Sequence, residues 1–231
     1  MKKSFSRFVW LGTAGFFQCL CTTNVFAQAT TNYDFTVSPN TPVPDGNSSG
    51  LSLATDLTGI DGTINNVTVS LDISSGYNGD LYAYLRGPEG GFAVLLNRVG
   101  VTSGNSFGYS DAGFDVTFDD SANYNNIHFY QDSVYTLNSE GQLTGNWSSD
   151  GRAIDPQSGP SLFGTTEPTA TLASFAGIDP NGTWTLFLAD VSSGGQSTVI
   201  SWSLDIETVP EPSVCALLGI GTILVAWRRM K

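Results

Sequence analysis

The feature that most constrains this chain is a strict two-residue alternation of apolar and polar side chains. Val67, Val69, Leu71 and Ile73 alternate with Thr68, Ser70 and Asp72, and Phe114, Val116 and Phe118 repeat the pattern. Trp184, Leu186 and Leu188 follow it, as do Ile200, Trp202, Leu204 and Ile206. Successive side chains of a strand point to opposite faces of its sheet, so each apolar set lines one face. Leu81 to Leu85 and Phe92 to Leu96 are shorter runs that also read as strands. Ser74-Ser75-Gly76, Gly87-Pro88-Glu89-Gly90 and Ser192-Ser193-Gly194-Gly195 separate the runs with turn residues. No stretch between Gln28 and Val209 shows a helical period. The expectation is an all-β domain, a β-sandwich or jelly roll, with Trp184 and Trp202 as core anchors. Phe187, Tyr82 and Tyr84 fall out of phase with the core set and are candidates for a surface contact.

Charge removes one class of partner. Six of the nine basic residues sit at the ends of the 231-residue chain: Lys2, Lys3, Arg7, Arg228, Arg229 and Lys231. Between Gln28 and Val209 only Arg86, Arg98 and Arg152 face sixteen aspartates and four glutamates. That balance repels phosphate backbones and excludes ordinary nucleic-acid binding. Cys19, Cys21 and Cys215 all lie in apolar terminal stretches, so the middle carries no disulfide, thiolate metal site or cysteine nucleophile.

The ends read as delivery signals. Residues 1–27 have a basic start, a short apolar stretch from Phe8 to Leu20, and small residues at Val25 and Ala27, which predicts signal-peptidase cleavage after Ala27. Residues 28–41 read as a linker. At the other end, Val209-Pro210-Glu211-Pro212-Ser213 precedes the apolar run Val214 to Trp227 and a basic close. Fourteen helical residues span about 21 Å, short of the roughly 30 Å hydrocarbon core, so this C-terminal helix suits a transient inner-membrane anchor. Segment 208–231 resembles the PEP-CTERM sorting signal of Gram-negative bacteria, through Pro210, Glu211 and Pro212 and the basic pair Arg228 and Arg229. The resemblance implies processing by a membrane exosortase and a final place at the cell surface or outside it.

The middle carries ordered blocks: Pro42-Val43-Pro44-Asp45, Gly79-Asp80-Leu81, Gly87-Pro88-Glu89-Gly90 and Arg98. Thr117-Phe118-Asp119-Asp120, Asp179-Pro180-Asn181-Gly182-Thr183-Trp184-Thr185-Leu186, Asp190 and Ser201-Trp202-Ser203-Leu204 follow. Residues 42–207 resemble the P/Homo B domain, the sandwich found beside subtilisin-like proprotein convertases, which implies a galactose-binding-like all-β fold. The polar stretch from Tyr124 to Gly159 departs from that pattern: it is long for a connecting segment and reads either as an inserted hairpin or as a mobile loop. In the family, protease activity resides in a neighbouring catalytic domain.

One hydrolase-like pattern occurs, Gly104-Asn105-Ser106-Phe107-Gly108. It works only where a strand and a following helix hold the serine in a strained elbow, and no helix pattern follows Ser106. His128, the single histidine, reads as a strand or loop residue rather than a base. Oxygen-rich turns bind calcium, and Asp80, Asp119 and Asp120 are the candidate ligands; no other cofactor is indicated. The reading is therefore a non-catalytic, secreted surface protein, structural or adhesive within an exopolysaccharide matrix. Its acidic surface would bridge to polysaccharide through divalent cations. The alternative is an accessory or targeting module for a separate secreted subtilisin-like protease.

Overall fold

The computed structural model describes residues 30–210. Ten strands form two sheets: β1 (Thr31–Val37), β2 (Thr41–Pro42), β3 (Asn47–Leu57), β4 (Thr63–Ser74), β5 (Leu81–Arg86), β6 (Phe92–Asn97), β7 (Gly113–Phe118), β8 (Leu143–Trp147), β9 (Gly182–Asp190) and β10 (Thr198–Val209). The first sheet runs β1-β10-β4-β7-β8, with the two-residue β2 also on β10; the second runs β3-β9-β5-β6. All pairings are antiparallel except β7 with β8. The fold is an all-β sandwich, as the alternation predicts.

Val67, Val69, Leu71 and Ile73 from β4, Phe114, Val116 and Phe118 from β7, and Trp202, Leu204 and Ile206 from β10 are buried. Leu81, Ala83 and Leu85 from β5 and Trp184, Leu186 and Leu188 from β9 meet them from the second sheet. One member of the predicted set is displaced. Val199, not Ile200, is fully buried, because Ile200 falls in a break in the β10–β4 register between Val199 and Ser201. An extra residue in one strand reverses the face of everything beyond it.

The expected linker at 28–41 is corrected. Thr31 to Val37 is β1, paired residue for residue with Trp202 to Thr208 along the edge of the first sheet. Its Tyr33, Phe35 and Val37 pack on the core, so it covers what would otherwise be the exposed flank of β10. The signal segment with Ala27, the motif residues Glu211 and Pro212, the predicted C-terminal helix, Arg228 and Arg229 lie outside the described residues. Pro210 is exposed just past β10. Among the described residues no helix is long and apolar enough to cross a membrane.

Several family-like blocks have a packing cause. Asn181 accepts from the Ile60 amide at 2.9 Å and donates to the Ile60 carbonyl at 2.8 Å, stapling the β9 approach to a distant loop. Trp184 Nε1 donates to the Pro180 carbonyl at 2.9 Å, and its ring meets Phe175 with centroids 5.0 Å apart. Gly87 lies so close to Phe175 that a Cβ there would stand 2.9 Å from the ring.

Candidate functional site

The stretch from Tyr124 to Gly159 is neither a plain hairpin nor a loose loop. A 3-10 turn at Ile127–Asp132 leads to a bridge between Leu137 and Leu143, and β8 then joins β7 in parallel as an edge strand. A buried polar cluster holds the stretch against the sandwich. His128 Nδ1 lies 2.7 Å from Asp150 Oδ2, and His128 Nε2 lies 3.1 Å from the Val101 carbonyl. Arg152 reaches Asp150 Oδ1 at 3.2 Å and the Phe163 carbonyl at 2.8 Å, with its guanidinium 5.0 Å above the Phe129 ring. Asp150 also accepts from the Asn97 amide at the end of β6, tying the segment to the second sheet. Buried charges persist only where paired and hydrogen-bonded in this way.

On its outer side the same stretch forms a cleft of about 270 Å³. Tyr124, Tyr135 and Trp147 supply rings, and Asn123, Asn125 and Asn146 supply amides; no charged side chain lines it. Asn146 Nδ2 donates to the Tyr124 hydroxyl at 3.2 Å, and Trp147 Nε1 donates to the Thr144 carbonyl at 3.1 Å. Tyr130 sits beneath, edge-on to both Tyr135 and Trp147, with centroids at 5.5 and 6.1 Å. Its hydroxyl donates to Asp111 Oδ2 at 2.6 Å, and burial, followed by that bond, raises its pKa. The floor is thus rigid while Tyr124 stays exposed. Amides that both donate and accept, beside flat apolar rings, suit neutral ligands rich in hydroxyls. Sequence reasoning missed this cleft because its residues alternate with no period; the concentration of Asn and Tyr around 123–146 was the available signal.

The sequence-predicted positions fall elsewhere. Ser106 is exposed on a bend after the Thr102–Asn105 bridge, with no helix following. His128 is fully buried and both its ring nitrogens face other oxygens, so the two are not joined. The last glycine of that pattern has a structural role: a Cβ on Gly108, where φ is +75°, would stand 2.7 Å from the Gly79 Cα. Asp120 is committed to the backbone and a hydroxyl, accepting from Ser149 N at 2.7 Å, Ser149 Oγ at 2.6 Å and Leu172 N at 2.7 Å. Asp119 Oδ1 accepts from the Ser121 amide and hydroxyl at 2.9 and 2.6 Å. Asp80 lies near the opposite end of β7, since neighbouring Asn78 bonds Gly113 in both directions. About 20 Å of strand therefore separates Asp80 from the other two, and the three do not form one site. Among the described residues no three His, Cys, Asp or Glu side chains group as a metal cluster.

Tyr82, Tyr84 and Phe187 are half-buried on the outer face of the second sheet, as their phase predicts. Tyr84 stacks on Phe187 at 4.8 Å and meets Phe92 at 5.2 Å. Their faces are spent largely on one another, which leaves the Tyr124–Trp147 cleft as the better-formed site.

Comparison with known proteins finds no protein family that matches the sequence and no curated protein that does. Two solved structures are similar at 15% identity and a TM-score of 0.42: the serine protease of Aeromonas sobria, and that protease in complex with the chaperone ORF2. The match covers 78% of this chain and 27% of theirs, so this chain spans about a quarter of that protein's length.

Proposed function

We propose that this chain is a non-catalytic, secreted bacterial surface protein that binds neutral polysaccharide through the Tyr124–Trp147 cleft. The observation that carries this reading is the uncharged lining of rings and amides in a domain otherwise crowded with carboxylates. Sugar C–H faces pack on aromatic rings while amides satisfy the hydroxyls. Delivery by an exosortase rests on the PEP-CTERM-like segment 208–231, and kinship with P/Homo B domains rests on the order of the sequence blocks. The test is binding of the purified protein to immobilised neutral glycans and to exopolysaccharide. Tyr124→Ala and Asn146→Ala are expected to weaken retention at least tenfold with no loss of stability. Binding unchanged by both variants, or no binding at all, overturns the reading.

A second reading, an accessory module for a separate subtilisin-like protease, draws support from the Gly79-Asp80-Leu81 and Asn181-to-Leu186 blocks. Co-purification of such a protease from the native host, insensitive to Tyr124→Ala, would favour it over glycan binding.

A further inference from the structure

The Tyr124–Trp147 cleft opens on the outer edge of β8, where one main-chain residue is left without a partner. Successive residues of a strand turn their N–H and C=O groups to opposite sides. The Trp147 carbonyl accepts from the Asp119 amide at 3.0 Å, on the β7 side. Leu143 and Gly145 therefore also face β7, while Thr144 and Asn146 face away. Outward, the Thr144 amide donates to the Thr136 carbonyl and the Ser148 amide to the Asn125 carbonyl, both at 3.0 Å. The Ser148 carbonyl accepts from the Ile127 amide at 3.1 Å. Between these bonds, the Asn146 N–H and C=O meet no partner among the described residues. A donor and an acceptor thus stand side by side on the cleft wall, fixed by the strand itself.

The length of this gap limits what fills it. An added peptide strand needs outward groups at every second residue, and here the flanking positions, Thr144 and Ser148, are already taken. Only about 13 Å of strand separates those two, so the opening is one residue long. It suits a compact neutral group, because no charged side chain lines the cleft; a free amino sugar or a uronic acid finds no counter-charge there. Val134, 98% exposed, lines the same cleft with the Tyr124 ring. A bare hydroxyl leaves those apolar surfaces wet, whereas an acetyl methyl covers them. A trans amide points its own N–H and C=O in opposite directions. Its carbonyl therefore takes one of the two Asn146 groups, and an adjacent ring hydroxyl takes the other.

We propose that the ligand of this cleft is a glycan of 2-acetamido sugars. The acetamido carbonyl accepts from the Asn146 N–H, and the neighbouring ring hydroxyl donates to the Asn146 C=O. This assignment rests on the cleft being a neutral-glycan site and names the sugar class that it selects.

Titration calorimetry of the purified protein with triacetylchitotriose and with cellotriose tests it, since these trimers differ only in carrying an acetamido group or a hydroxyl at each C2. The acetamido trimer is expected to bind about tenfold more tightly. Asn146→Ala keeps the main-chain N–H and is expected to lower both affinities without changing their ratio. Asn146→Pro removes the N–H, which an edge strand tolerates where that group faces away from its neighbour, and is expected to abolish the preference. Should Asn146→Pro fail to fold, Val134→Ser, at a solvated position, is expected to reduce the preference about threefold. Equal binding of the two trimers, or a preference that survives both Asn146→Pro and Val134→Ser, overturns the proposal and leaves the neutral-glycan reading standing. Binding of neither trimer nor any other neutral glycan overturns both. Tighter binding of an N-acetylated extended pentapeptide than of either trimer overturns the proposal in favour of an added strand.

Discussion

His128 Nδ1 and Asp150 Oδ2 stand 2.7 Å apart with both side chains fully buried, and that contact locks the 124–159 stretch onto the sandwich. The other oxygen of Asp150 holds Arg152. Removing the carboxylate would strand four donors at once, the His128 ring, the Arg152 guanidinium and the Asn97 and Arg152 amides, and breaking such a buried pair from one side costs about 3–5 kcal/mol. Asp150→Ala is therefore expected to lower the urea midpoint sharply and to abolish the cleft with it. A shift of the midpoint equivalent to less than about 1 kcal/mol would refute the buried network.

The two core tryptophans separate packing from hydrogen bonding. Trp202 Nε1 is buried without a partner, whereas Trp184 Nε1 is bonded to the Pro180 carbonyl. Truncation of either to alanine is expected to cost about 3–5 kcal/mol. Replacement by phenylalanine should discriminate: Trp202→Phe sheds an unsatisfied N–H, while Trp184→Phe leaves a carbonyl unpaired at a further cost of about 1–3 kcal/mol. Equal melting temperatures for the two phenylalanine variants would contradict the hydrogen-bond assignment.

Ser106→Ala provides the check on a catalytic reading. Ser106 is exposed and its hydroxyl is not bonded to His128. The variant is expected to change stability by no more than about 0.5 kcal/mol and to leave any esterase background unaltered. Loss of a measured activity on this substitution would restore the hydrolase hypothesis.

The Asp190–Asp80 corner imposes a pH dependence with a defined sign. Both carboxyls have folded pKa values raised above the usual 3.8, Asp190 to about 6. The folded state therefore holds these protons more tightly than the unfolded chain. The Asp190 contribution is fully present below about pH 4 and is lost as pH rises through about 6. Asp190→Asn is expected to match the parent at pH 4 and to exceed it in stability at pH 7. Parallel stability curves for the two proteins from pH 4 to 7 would show that the carboxyl is not perturbed.

Processing of the tail is read by mass. Protein recovered from the native host's surface or medium is expected to end close to Pro210, and a chain intact through Lys231 in the inner membrane would reverse that expectation.

What the sequence determined by itself is whatever depends on neighbours two residues apart. Alternation in β4, β7, β9 and β10 places the core on one face, and Trp184 and Trp202 inside it, because a strand's side-chain period does not depend on its partner. The bulge that moves Val199 inward and turns Ile200 aside was invisible, since it exists only relative to β4. β1 is a different case: Tyr33, Phe35 and Val37 do alternate with Asp34 and Thr36, but three apolar residues at an edge are half-buried at most, and it is the pairing with β10 that makes the run a strand rather than a linker. The site residues required the tertiary fold outright. Asp45, Asp80 and Asp190 come to one end of the second sheet only because β3, β9 and β5 are neighbours, and the rings and amides of the cleft face one another only once β8 lies along β7. Burial strips water from the carboxylates and leaves Asp190 Oδ2 without a partner; that electrostatic demand belongs to the packed molecule, and no order of residues along the chain encodes it locally.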